Sequence, residues 1–216
     1  MPEPTAVLFD MDGTLIDSEP VWFDTEVRLL AEFGFELGPE HWRNVLGQPN
    51  EVSCKYLVGV SGIPLTWQQL NEKIEAAMVE QLSEGFELLP GAKELLVELQ
   101  AAGMPTALVS ASSRQIVDAC IGAIGAHFFR HTVSGDDVER SKPDPQPYLL
   151  AAELLGVDPA DCVVIEDSRI GITAGSAAGC RVLAVPSAAV EVPDVPRVTK
   201  AASLDGVSLA YLSTLV

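Results

Sequence analysis

The amino-acid sequence predicts an α/β protein: a doubly wound parallel sheet, with an all-helical domain inserted after the first strand. Three observations lead to this. From about residue 87 onward, short unbroken apolar runs alternate with helical patterns, the rhythm of parallel α/β units. The stretch from 17 to 86 reads as helices alone. A polar, chemistry-bearing residue stands at or just after each of the first four apolar runs.

The strand candidates are Thr5–Asp10, Pro105–Ser110, His131–Ser134, Cys162–Glu166 and Arg181–Val185. They are short, rich in Val, Leu and Ile, and lack strict alternation, as strands covered on both faces should. Helices are expected near Gly91–Ala102, Ser113–Ile124, Pro145–Leu155 and Ser168–Ala178. Gly103, Gly125, Gly156 and Gly179 follow them at positions suited to a left-handed helix end.

In the inserted stretch, Ser18 is a candidate cap for a helix carrying Glu19 and Pro20 in its first turn. Val21, Trp22, Thr25, Leu29 and Phe33 then recur at helical spacing. Thr66-Trp67-Gln68-Gln69 fits a capping box opening a helix through Leu70, Ile74, Met78 and Leu82. The expected domains are therefore a core of residues 1–16 and 87–216 and a helical cap of residues 17–86. Hinges are expected near Leu15–Asp17 and Glu84–Pro90.

Composition narrows the function classes. Of 216 residues, 48% are apolar, enough for a packed core, and no apolar run approaches the ~20 residues needed to span a bilayer. Met1-Pro2-Glu3-Pro4 lacks a basic flank and runs directly into a buried-strand pattern, so a cytoplasmic protein is expected. Four scattered cysteines, without a CxxC pair, read as small buried hydrophobes. A net charge of −18 argues against nucleic acid, which requires a basic face. It does not exclude an anionic substrate, because exposed charges are screened beyond ~8 Å while a metal ion, a lysine or backbone N–H groups act at contact range.

Asp10 ends the first strand candidate, Ser110 ends the second, Lys142 opens the connection after the third, and Asp167 follows the fourth. In an open parallel sheet, ligands bind at the carboxyl ends of the strands, where strand order reverses. With the first strand central, all four residues reach one crevice. Each has a plainer explanation: a solvated Asp-x-Asp-Gly-Thr turn, a strand-closing Ser110, a capping Ser112, an exposed Lys142, a helix-capping Glu166-Asp167. Those explanations do not account for four such features at equivalent ends of successive strands.

The segments Val7-Leu8-Phe9-Asp10-Met11-Asp12-Gly13-Thr14, Val109-Ser110-Ala111-Ser112, Lys142-Pro143-Asp144-Pro145 and Val164-Ile165-Glu166-Asp167-Ser168 resemble the four motifs of the haloacid dehalogenase superfamily, in its order and spacing. The resemblance covers nearly the whole chain and implies a Rossmann-like core with a small helical cap. It is closest to sugar-phosphate phosphatases and β-phosphoglucomutase-like members. It implies Asp10 as the nucleophile that becomes phosphorylated and Asp12 as general acid and base. It also implies a Mg²⁺ ion held by Asp10, the Asp12 backbone carbonyl and Asp167, with Glu166 either a ligand or the partner of one. Ser110 and Lys142 would hold phosphoryl oxygens, with backbone N–H groups near Ala111 and in the Asp12–Gly13 turn.

Such a constellation suits phosphate monoesters, which hydrolyse so slowly that no single group suffices. A carboxylate nucleophile divides the reaction into two easier displacements. Cap specificity is expected in the loop Gly47-Gln48-Pro49-Asn50 and at Glu19 and Trp22, although Trp22 equally fits a packing position on its helix. His41, His127 and His131 suggest no role. The competing readings are a phosphosugar mutase, a receiver-like phosphoacceptor and a catalytically silent binding protein. An acidic residue at Asp12 argues against dehalogenase chemistry. Trp22, Asn50 and the apolar stretch near Ala77 stand where the mutases carry cationic or imidazole groups. The expectation is thus a monomeric phosphatase of a small phosphate ester, a sugar or polyol phosphate, without nucleic-acid or membrane partners.

Overall fold

The computed structural model describes residues 3–45, 48, 50–187 and 190–215. The chain forms two compact units, residues 1–17 with 86–216 and residues 18–85. The larger unit is built on a six-stranded parallel sheet: β1 (Ala6–Phe9), β2 (Thr106–Val109), β3 (His131–Val133), β4 (Cys162–Glu166), β5 (Arg181–Ala184) and β6 (Val198–Lys200). Their order is β3-β2-β1-β4-β5-β6, so β1 is central and the order reverses beside it. Phe9 pairs with Leu108 on one side and with Ile165 on the other, which brings the ends of β1, β2 and β4 level. Residues of β1, β2 and β4 are all buried, which explains their unbroken apolar runs.

The edge strand β6 was not among the sequence candidates. It is three residues long, and Thr199 and Lys200 are exposed, so it lacks the apolar run that marks the others.

The smaller unit contains α1 (Glu19–Ala31), a 3₁₀ turn (Pro39–Asn44), α2 (Asn50–Ser61) and α3 (Trp67–Ser83). The Thr66–Gln69 capping box forms in full, and Leu70, Ile74, Met78 and Leu82 make the buried stripe of α3. Two expectations for α1 are corrected. Ser18 has helical φ/ψ and makes no side-chain capping bond, since a hydroxyl caps only from an extended residue. The buried stripe runs through Thr25, Glu26 and Leu30, while Phe33 falls beyond the helix end and is 38% exposed.

The larger unit adds α4 (Ala92–Ala101), α5 (Arg114–Ile124), α6 (Gln146–Leu155), α7 (Arg169–Ala177) and α8 (Leu209–Leu212). Gly103, Gly125, Gly156 and Gly179 all take positive φ. Cys54, Cys120, Cys162 and Cys180 are free and buried, and burial raises every thiol pKa. No helix among the described residues is long and apolar enough to cross a membrane.

Candidate active site

Asp10 leaves β1 at the central switch point, its backbone N–H still donating to Ile165 of β4. Directly after it, the chain turns back on itself: the N–H groups of Leu15 and Ile16 donate to the Met11 carbonyl, and that of Gly13 to Ile16. Gly13 sits at φ +77°, and a Cβ there would come within 2.3 Å of Asp167 Oδ2. Only glycine lets this turn approach the Asp167 carboxylate so closely.

Lys142 crosses from the segment after β3 and is 6% exposed. Its ammonium donates to Asp10 Oδ1 at 2.6 Å, to Glu166 Oε1 at 2.7 Å and to the Val109 carbonyl at 2.9 Å. Three donors meet three acceptors, one just after β1, one on β2 and one on β4. Burial alone would lower the Lys142 pKa, but Asp10 and Glu166 together hold it above the usual lysine range.

Glu166 is fully buried. Its Oε1 accepts from Lys142 and from the Tyr148 hydroxyl at 2.9 Å, and its Oε2 accepts from the Ser168 N–H at 3.0 Å and hydroxyl at 2.9 Å. These four bonds use roughly the whole acceptor capacity of a carboxylate. Ser168 also caps α7 by accepting from the Gly171 N–H at 3.0 Å.

Asp12 is half-buried, and its Oδ2 accepts from the Ser110 hydroxyl at 3.2 Å and the Ser112 hydroxyl at 2.8 Å. Ser112 therefore turns to Asp12 instead of capping α5, whose cap position is Ser113. Thr14 donates to Asp167 Oδ1 at 3.3 Å. Ala111 is exposed, and its carbonyl lies where a Cβ on Gly135 would come within 2.5 Å.

Carboxylate oxygens of Asp10, Glu166 and Asp167 lie within 4.8 Å of one another. Burial, then the Glu166 charge, pushes Asp10 well above the ordinary range despite Lys142, with Asp167 and Asp12 adding to the rise. Burial and Glu166 push Asp167 up to about 7, again against Lys142. One ammonium thus faces several crowded carboxylates, and hard oxygen donors with excess negative charge fit a hard divalent cation such as Mg²⁺.

The core brings together Asp10, Asp12, Gly13, Ser110, Lys142, Glu166 and Asp167. In the helical unit, Glu19 is exposed, Trp22 and Asn50 are half-buried and Gln48 is exposed. Gly47 and Pro49 of the expected contact loop lie outside the described residues. Sequence reasoning assigned no role to Thr14, Tyr148 or Gly171. Tyr148 carried one legible signal: a hydroxyl on the otherwise apolar buried face of its helix, six residues after Lys142.

The carboxylate cluster and the buried lysine stand at the switch point of a doubly wound α/β sheet, the place where such sheets bind their ligands. The chain belongs to the haloacid dehalogenase-like hydrolase family, whose model matches residues 7–185. Within it the chain groups with phosphatases, hydrolases acting on phosphoric monoesters. It is 34% identical to hexitol phosphatase A of Escherichia coli over 89% of this chain and 86% of that protein. It is 35% identical to the bifunctional riboflavin kinase/FMN phosphatase of Arabidopsis thaliana over 85% of this chain, and spans 48% of that longer protein. CbbY from Rhodobacter sphaeroides, solved in complex with phosphate, superposes with a TM-score of 0.85 at 26% identity, covering 97% of this chain and 99% of that one.

Proposed function

We propose that this chain is a Mg²⁺-dependent phosphatase that hydrolyses a small sugar or polyol phosphate through a phosphorylated Asp10. The observation that carries the reading is Lys142 bridging Asp10 and Glu166 at the sheet's switch point. The name of the E. coli hexitol phosphatase supports the substrate class.

In the first half-reaction an Asp10 carboxylate oxygen attacks phosphorus in line with the ester oxygen. A P–O bond to Asp10 forms, the bond to the leaving oxygen breaks, and Asp12 gives that oxygen a proton. In the second, Asp12 takes a proton from water, whose oxygen attacks phosphorus and releases inorganic phosphate and free Asp10. Ser110 and Ser112 fix the Asp12 carboxylate by donating to its Oδ2. Lys142 orients Asp10 and sets a positive charge beside the phosphoryl oxygens.

Asp10, Asp167 and the Asp12 carbonyl would hold Mg²⁺, which when bound neutralises the phosphoryl charge and keeps Asp10 ionised. Glu166 is assigned to Lys142 instead, because its acceptor sites are already engaged. Glu19, Trp22, Gln48 and Asn50 are the candidates for leaving-group recognition. The reading includes a monomer with no nucleic-acid partner, in keeping with the −18 charge.

A screen of phosphorylated sugars and polyols for released phosphate, with Mg²⁺ or with chelator, tests the proposal. Phosphate release that stops with chelator and returns with Mg²⁺ is expected. Metal-independent turnover would overturn the mechanism, and isomerised phosphate in place of free phosphate would make the enzyme a mutase.

A further inference from the structure

We infer that Tyr148 is a positioning residue that holds the Lys142 ammonium against Asp10, by its hydroxyl through Glu166 and by its ring directly; the inference rests on the phosphatase reading above.

Tyr148 is fully buried in α6, within the apolar core formed with Ala107, Val109, Val133 and Val164. Packing alone would be served by Phe, and a hydroxyl buried there is unfavourable unless it is bonded. It donates to Glu166 Oε1, the same oxygen that accepts from Lys142. The ring lies beneath the ammonium, with Nζ 5.0 Å from its centroid, within cation–π range. One residue therefore acts on the lysine in two ways. Its hydroxyl pins the carboxylate oxygen that anchors Lys142, and its face covers the ammonium.

Both contacts bear on where the charge sits. Lys142 spends its three protons on Asp10, Glu166 and Val109. If Glu166 Oε1 swings, the ammonium follows it and the bond to Asp10 lengthens. Removing the hydroxyl should therefore weaken the transition state more than substrate binding.

The experiment compares Tyr148→Phe, which keeps the ring, with Tyr148→Leu, which keeps neither contact, in the full-length protein with Mg²⁺. Steady-state kinetics on the best phosphate ester are combined with NMR of ¹⁵N-labelled lysine. For Tyr148→Phe, kcat should fall roughly tenfold, the worth of one hydrogen bond to a charged group, with KM nearly unchanged. Adding Tyr148→Phe to Glu166→Gln should have little further effect, since coupled residues are non-additive. The Lys142 side-chain protons should show an upfield ring-current shift in the wild type and in Tyr148→Phe, but not in Tyr148→Leu.

Wild-type kcat in Tyr148→Phe, or a full additional loss in the Glu166→Gln background, overturns the inference. A Lys142 signal without a ring-current shift in the wild type overturns it as well. If the wild type hydrolyses no phosphate ester, the phosphatase reading fails, while the NMR comparison still decides whether Tyr148 holds Lys142.

Discussion

The Lys142 ammonium stands 2.6 Å from Asp10 Oδ1 and 2.7 Å from Glu166 Oε1, with both carboxylates buried. A buried ion pair need not stabilise a fold, but removing one partner strands charge in a low-dielectric site. Lys142→Met is therefore expected to lose about 3–5 kcal/mol of stability together with its activity. Denaturant unfolding of the larger unit checks this, and a variant of unchanged stability would show that the pair is better solvated than its burial indicates.

Asp10 and Asp12 should respond differently to the same change. On the proposed mechanism, Asp10→Asn removes the nucleophile and is expected to leave no measurable turnover. Asp12→Asn removes proton transfer alone and should cost roughly 10²–10⁴-fold in kcat. Equal, mild losses in initial-rate assays of both variants would contradict the division of roles.

Gly171 lies in the first turn of α7, where Ala would ordinarily favour the helix by about 1 kcal/mol. Here a Cβ would sit 1.6 Å from Glu166 Oε1 and 1.9 Å from its Cδ. The overlap outweighs the propensity, so Gly171→Ala should displace Glu166, lower the melting temperature and cut kcat by more than tenfold. A melting temperature above wild type would mean that Glu166 has room to move.

Glu26 is the buried anomaly of the helical unit. Its Oε2 has no hydrogen-bond partner among the described residues, and burial pushes its pKa up to about 8. The proton is held more tightly in the folded than in the unfolded state, where the pKa is 4.5. The contribution is thus fully present below pH 4.5 and is lost as pH rises through about 8, on the order of several kcal/mol. Its charge also raises the pKa of the neighbouring Cys54. Stability measured across that window should decline for the wild type, and Glu26→Gln should flatten the decline. Parallel profiles would show that Glu26 ionises without disturbing the helices.

The sequence by itself determined the sheet's central strands, because a strand covered on both faces must be an unbroken apolar run, and with them the position of Asp10, Ser110 and Asp167 at or just after their ends, and of Lys142 in the connection after the third strand. It also determined the Thr66 cap of α3, whose bonds span only three residues. The edge strand β6 and the buried stripe of α1 were decided by tertiary packing, which overrides local pattern where an element is short or polar. The same holds within the site. Sequence left Glu166 open between metal ligand and orienter. Its partners Lys142 and Tyr148 come from 24 and 18 residues away, and both donate to Oε1. Ser112 turns to Asp12 across 100 residues, and Gly171 makes room for Glu166. Spacing along a strand fixes where a side chain starts, but the partner that uses its lone pairs comes from elsewhere in the chain and is chosen only when the sheet assembles.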